Sequence, residues 1–154
     1  MSFTLYHGSE FKLEIGTILR ASVNYPTYVN NVWNDILFHF RPQNCDLREE
    51  SVFLVDDIDS VDLAGGSIDY IYACEPLANF SRHDVNWISE IEGLFASSLE
   101  DMDDWQNSPR IARIAKNYWN GKPHYNESIM EILTKKAKIL ELVEVNCLVP
   151  VGGE

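Results

Sequence analysis

The chain is expected to fold as one α+β domain, and three observations predict it. Short runs of β-branched and aromatic residues alternate with longer stretches whose apolar residues return every three or four positions. Glycine, proline and aspartate separate the two kinds of run at short intervals. Several strand runs follow one another directly, which favours a mixed or antiparallel sheet flanked by helices over a doubly wound parallel one. The 154 residues, 45% of them hydrophobic, suit a single core, because a domain of this length buries roughly two-thirds of the surface of its unfolded chain. The domain is expected over 1–148, with 149–154 as a C-terminal tail.

Phe3-Thr4-Leu5-Tyr6 alternates apolar and polar residues and is stopped by Gly8, which predicts a short first strand with His7 at its end. Past Gly16, Thr17-Ile18-Leu19-Arg20 predicts a second. From Thr27, the spacing of Tyr28, Val32, Trp33, Ile36 and Leu37 predicts a helix to Phe40, and Pro42 forbids its continuation. Ser51 to Val55 predicts a strand; Asp56-Asp57 ends it and can cap a short helix through Leu63, closed by Gly65-Gly66. Tyr70 to Cys74 predicts another strand, ended by Pro76. Between Asp84 and Asp104, Trp87, Ile88, Ile91, Leu94, Phe95, Leu99 and Met102 mark one helical face and Glu90, Glu92, Glu100, Asp101 and Asp103 the other, so one long helix is expected. Ser108-Pro109 supplies an N-cap and first-turn proline for a helix carrying Ile111, Ile114, Ala115 and Tyr118, which Asn120-Gly121 terminates. Strands over 129–133 and 137–145 follow.

With 24 acidic residues against 12 basic ones, the formal charge of -12 repels nucleic acid and anionic membrane at long range. A nucleic-acid contact would need a local basic groove, for which Lys135, Lys136 and Lys138 are the candidates. Cys45, Cys74 and Cys147 are odd in number and form no metal-ligand spacing, so they are expected as reduced thiols with no metal site. No basic start with an apolar core and no apolar run of about 18 residues is seen, which gives the expectation of a cytoplasmic protein without a membrane partner. The chain has no GxGxxG, GxxxxGK, GxSxG, HExxH or CxxC, so the commonest nucleotide-loop, hydrolase and metal signatures are missing.

Three blocks carry a resemblance instead. They are Tyr6-His7-Gly8-Ser9; Arg41-Pro42 with Leu47-Arg48-Glu49-Glu50-Ser51-Val52-Phe53; and Tyr118-Trp119-x-Gly121 followed by Glu131-Ile132-Leu133. In this order they resemble the diphtheria-toxin-like ADP-ribosyltransferases, a group that includes rifamycin-inactivating enzymes, poly(ADP-ribose) polymerases and small bacterial members. The resemblance implies the ADP-ribosyltransferase fold and NAD as co-substrate. It implies that the Gly8 backbone holds the nicotinamide carboxamide and that His7 bonds a ribose hydroxyl, with Tyr6, Ser9, Ser51 and Phe53 also lining the NAD site. Glu131 would bind the nicotinamide-ribose hydroxyl and stabilise the positive charge that develops as nicotinamide leaves. Arg48 and Arg20, then Arg41, are the candidates to neutralise the diphosphate. The chain departs from the pattern at Phe53, where the family usually carries a tyrosine; the ring face is kept and the hydroxyl lost.

From the residues alone, plainer readings stay open. His7 suits a polar strand end, Glu131 an exposed strand position, Phe53 a core position, and Arg48 surface ion pairs with Glu49 and Glu50. The function expected is cleavage of the nicotinamide-ribose bond of NAD with transfer of ADP-ribose to an acceptor, protein or small molecule before nucleic acid, in a setting of bacterial or phage conflict. The alternatives are NAD hydrolysis with water as acceptor, and a non-catalytic protein that uses its acidic helix to bind a basic partner.

Overall fold

The computed structural model describes residues 4–21, 32–64, 66–124 and 128–147. Among them seven strands, β1 (Leu5–Ser9), β2 (Ile18–Arg20), β3 (Val52–Val55), β4 (Tyr70–Pro76), β5 (Phe80–Asp84), β6 (Met130–Thr134) and β7 (Lys136–Val145), form one sheet in the order β2-β7-β4-β1-β3-β6-β5. Every ladder is antiparallel. Three helices, α1 (Val32–Phe40), α2 (Asn86–Ala96) and α3 (Pro109–Trp119), complete a small single-domain α+β protein. No helix among the described residues is long and apolar enough to cross a membrane. The expected helical residues 27–31, Gly65 and the tail 149–154 lie outside the described residues.

The sheet is built on a bent ribbon. β4 runs beside β7 from Tyr70↔Val145 to Pro76↔Ala137, and β5 runs beside β6 from Phe80↔Thr134 to Asp84↔Met130. Only 77–79 on one side and Lys135 on the other separate the two arms. Buried Thr134 ties the bend, its hydroxyl 3.2 Å from the Asn79 carbonyl and 3.3 Å from that of Lys136. β1 pairs with β4, β3 pairs with β6, and the two inner strands meet at Tyr6↔Val55.

Cross-strand partners share a face, so the registers sort the side chains. Leu5, Val52, Leu54, Tyr72, Cys74, Ile132, Ala137 and Ile139 form a core made of strand residues alone. On the opposite face Leu133 packs with Ile36, Leu37, Trp87, Ile91, Ile111 and Tyr118 of the helices, and Phe53 packs against that cluster. Nearer β1, Val55 and Ile71 pack with Val61. Full burial of each large apolar side chain contributes about 1.5–3 kcal/mol, which is what holds the helices on the sheet.

The structure corrects four sequence expectations. The long helix over 84–104 stops at Ala96: Ser98 takes a left-handed φ of 59°, the Leu99 amide bonds the Leu94 carbonyl at 2.9 Å and the Ser98 amide bonds that of Phe95 at 3.1 Å. This six-residue closure is a Schellman end, and it leaves Leu99 and Met102, which continued the apolar stripe in sequence, 64% and 54% exposed. The residues 80–84 form a strand that the sequence did not show, because Phe80-Ser81-Arg82-His83-Asp84 lacks apolar alternation. β4 continues through Cys74 to Pro76, since the ribbon reaches its bend there. β1 runs through Gly8 to Ser9; a Cβ on Gly8 would lie 2.1 Å from the Ser67 carbonyl oxygen and 2.5 Å from Val61 Cγ1, so glycine here admits a crossing segment and ends nothing. α3 keeps its expected ends. Ser108 accepts from the Ile111 amide at 3.2 Å, and Gly121 closes the helix at φ 71°.

Candidate functional site

Glu131 stands on β6 beneath the helices and is 1% exposed. A lone carboxylate there would be costly, and two donors offset the cost. Arg48, in the short 3-10 turn Arg48–Glu50 that leads into β3, forms an ion pair with its Oε1. The Tyr118 hydroxyl of α3 donates to the same oxygen at 2.5 Å, and Arg48 donates to the Tyr118 oxygen. The Arg48 guanidinium carbon lies 5.0 Å from the Phe53 ring centroid, 5.3 Å from Trp33 and 5.7 Å from Tyr118. The cation is therefore held by three aromatic faces as well as by its anion. Burial holds the Tyr118 phenol well above its ordinary pKa, with Arg48 pulling the other way, so the phenol stays protonated and donates.

Local sequence explains how Arg48 is aimed. The Ser51 hydroxyl donates to the Leu47 carbonyl at 2.7 Å and the Ser51 amide to the Arg48 carbonyl at 3.1 Å, closing the turn. Ser51 thus braces the turn that carries Arg48. On the far side of β6, His83 of β5 faces Glu131 directly in the register. Its Nδ1 lies 2.8 Å from the Tyr118 carbonyl and its Nε2 2.7 Å from Ser81 Oγ. The next residue, Asp84, is wholly buried and accepts from the amides of Asn86, His124 and Ile129 at 3.0, 2.8 and 3.2 Å. It anchors the start of α2 to the chain that enters β6.

The first block falls elsewhere. Tyr6 shares a row with Val55 and Glu131 through the registers, and packs against the Val55 and Ile71 cluster. His7, one residue on, therefore leaves the sheet from the other face, opposite Tyr72, with Nδ1 3.1 Å from the Phe53 carbonyl. The expected pairing of His7 and Glu131 in one cleft is not what the registers give: the two side chains point to opposite faces. The Gly8 face that would approach a ligand is covered by Ser67 and Val61. Ser9 closes a local turn, its hydroxyl donating to the Phe11 carbonyl at 2.8 Å. Burial lowers the His7 pKa, with the Phe53 carbonyl opposing.

Of the candidate cations, Arg48 alone meets Glu131. Arg41 donates to the Cys45 carbonyl at 2.7 Å and lines a small recess with Asn34, Phe38 and Arg48; its Nε is buried with no hydrogen-bond partner among the described residues. Arg20 is exposed on the edge strand β2 opposite Lys136, five strands from β6, roughly 24 Å along the sheet at the usual strand spacing. Lys138 is its neighbour there, while Lys135 lies 3.9 Å from Asp46. No group of three or more metal-ligating side chains converges among the described residues. The acidic stretch also divides: Glu90 and Glu92 sit on α2, and Glu100 to Asp104 follow its end.

Sequence reasoning named Glu131, Arg48 and Phe53, which the fold brings together, and missed His83, Ser81 and the role of the Tyr118 hydroxyl. Tyr118 was visible in its Tyr-Trp-x-Gly block; nothing in Phe80-Ser81-Arg82-His83-Asp84 marked a buried polar strand. No family model matches this chain, and no curated protein matches its sequence.

Proposed function

We propose that the protein cleaves the nicotinamide-ribose bond of NAD and transfers ADP-ribose to an acceptor, with Glu131 as the carboxylate that stabilises the developing ribose cation. The observation that carries this reading is a buried strand carboxylate met by an arginine and a phenol hydroxyl among aromatic faces. A planar pyridinium needs ring faces, a diphosphate needs guanidinium groups and a developing ribose cation needs a fixed carboxylate. Phe53 and Trp33 offer the first, Arg48 and Arg41 the second and Glu131 the third. Tyr118 supplies, from a helix, the hydroxyl that Phe53 lacks. His7 has no part beside Glu131 in this reading.

The bond between ribose C1′ and the nicotinamide nitrogen breaks with its electron pair going to nitrogen, which neutralises the pyridinium. Positive charge then grows on the ribose, opposite Glu131. An acceptor atom bonds C1′ and gives up its proton. Arg48 has two duties: it neutralises Glu131 at rest, and it must move from the carboxylate toward the diphosphate for substrate to reach Glu131. The acceptor is expected to be a protein or small molecule, since the net charge of -12 opposes a polyanion.

The test is nicotinamide release from NAD by the purified chain, alone and with cell extract, with the label followed onto its acceptor. Glu131→Gln should keep NAD affinity and lower turnover roughly a hundredfold or more. Release that needs no extract and labels nothing identifies water as the acceptor. A wild type that neither releases nicotinamide nor binds NAD at millimolar concentration overturns the reading.

A further inference from the structure

We infer that His83 is a positioning residue: locked in one tautomer, it clamps the Tyr118 ring so that the phenol hydroxyl stays on Glu131. The catalytic part of this inference rests on the function proposed above; the clamp itself does not.

His83 is wholly buried and holds Tyr118 at two points. Its ring stacks on the phenol with centroids 4.7 Å apart and planes 22° apart, and Nδ1 lies 2.8 Å from the Tyr118 carbonyl. The Trp119 ring meets the imidazole edge-on at 5.1 Å, closing a third side. A carbonyl oxygen only accepts, so Nδ1 carries the proton. Nε2 of the neutral ring then accepts from the Ser81 hydroxyl, 2.7 Å away. The Cys45 thiol donates to the Trp119 carbonyl at 3.9 Å, and the two imidazole bonds run in one direction, from the Ser81 hydroxyl to Nε2 and from Nδ1–H to the Tyr118 carbonyl.

A proton added at Nε2 would turn that acceptor into a donor, so the Ser81 hydroxyl would have to turn and accept from it. The charged and titratable groups around the ring divide. Glu131 on β6 favours an imidazolium, Arg48 opposes it, and the Tyr118 phenol and Cys45 thiol are both pushed up by burial and stay neutral. Burial of His83 itself is the largest influence and lowers its pKa. The ring is therefore harder to protonate than a free imidazole, and the neutral form that clamps Tyr118 is the favoured one.

Two measurements on the full chain test this. Long-range nitrogen-proton NMR of the wild type should show His83 predominantly as the neutral Nδ1–H tautomer at pH 6.5, the ordinary value for histidine. The Tyr118 hydroxyl proton should be protected from solvent exchange. In folded His83→Ala and His83→Asn variants that protection should be lost, and kcat for nicotinamide release should fall about tenfold with KM within twofold. A His83 that titrates near 6.5, or an Nε2–H tautomer, overturns the clamp in the wild type, whether or not a variant folds. Unchanged hydroxyl protection in a folded His83→Ala variant overturns it equally. If the wild type releases no nicotinamide, the proposed reaction falls, while tautomer and hydroxyl protection still decide the clamp.

Discussion

Two ion pairs of one small sheet invite comparison. Arg48 and Glu131 meet under the helices with side chains 10% and 1% exposed, whereas Arg82 and Asp56 meet at the surface with 48% and 29%. The chemistry is the same and the solvent is not. At the surface, water replaces either partner, and such pairs typically contribute 0–1 kcal/mol. Beneath the helices nothing replaces Arg48. Removing it strands a carboxylate in apolar surroundings, although the pair as a whole need not stabilise the fold. Burial thus makes each partner of the pair depend on the other.

The largest expected effect tests that contrast. Arg48→Ala should cost about 3–5 kcal/mol in urea unfolding at pH 7, and adding Glu131→Leu should return much of it. Full additivity of the two substitutions would show that the pair is not coupled. Next, Gly8→Ala should cost about 1–3 kcal/mol, because the new methyl meets the Ser67 backbone, which has no flexible end to give way. His7→Ala should cost about 1 kcal/mol, one ordinary hydrogen bond, since its Nδ1 contact is a single backbone carbonyl. Arg82→Ala should stay within about 1 kcal/mol; a loss comparable to that of Arg48→Ala would erase the difference between the two pairs.

Acid sharpens the contrast differently. His7 and His83 both have folded pKa values below their ordinary 6.5, chiefly through burial. Below that value the unfolded chain takes up protons that the folded one refuses, so stability is fully present above 6.5 and is lost as pH falls from there toward the folded values. Unfolding free energy should therefore decline below pH 6.5, and His7→Gln should flatten part of the decline. The smallest effect is a gain: Ser98→Gly should add roughly 0.5–1 kcal/mol by relieving its left-handed backbone, measured as a higher midpoint in urea.

Legibility in the sequence followed the same division between apolar and polar burial. β3 and β4 announced themselves through Val52 to Val55 and Tyr70 to Cys74, and α3 through Ser108-Pro109 and Gly121. β5 did not, because His83 and Asp84 are buried by hydrogen bonds to residues far along the chain, and no local pattern encodes such partners. The end of α2 was hidden for another reason: Leu99 and Met102 keep the helical spacing although a serine closes the helix before them. At the site, Arg48 and Glu131 were each identifiable by residue type and context. Their union was not, since the ladder between β3 and β6 is what joins positions 83 residues apart. The opposite facing of His7 and Glu131 likewise follows from register alone, which a single shifted residue would have inverted.

The bent ribbon also fixes an order of events. β6 and β7 take part in four of the six strand pairings, and both lie close to the C-terminal end of the described residues. A chain emerging from the ribosome carries β2, β3 and β5 without their β6 and β7 neighbours until 130–145 has been made. Until then their backbones are open to the wrong neighbours. Such late, long-range pairing slows folding, and the site built on β6 can assemble only once 130–134 has been made and has joined β3 and β5.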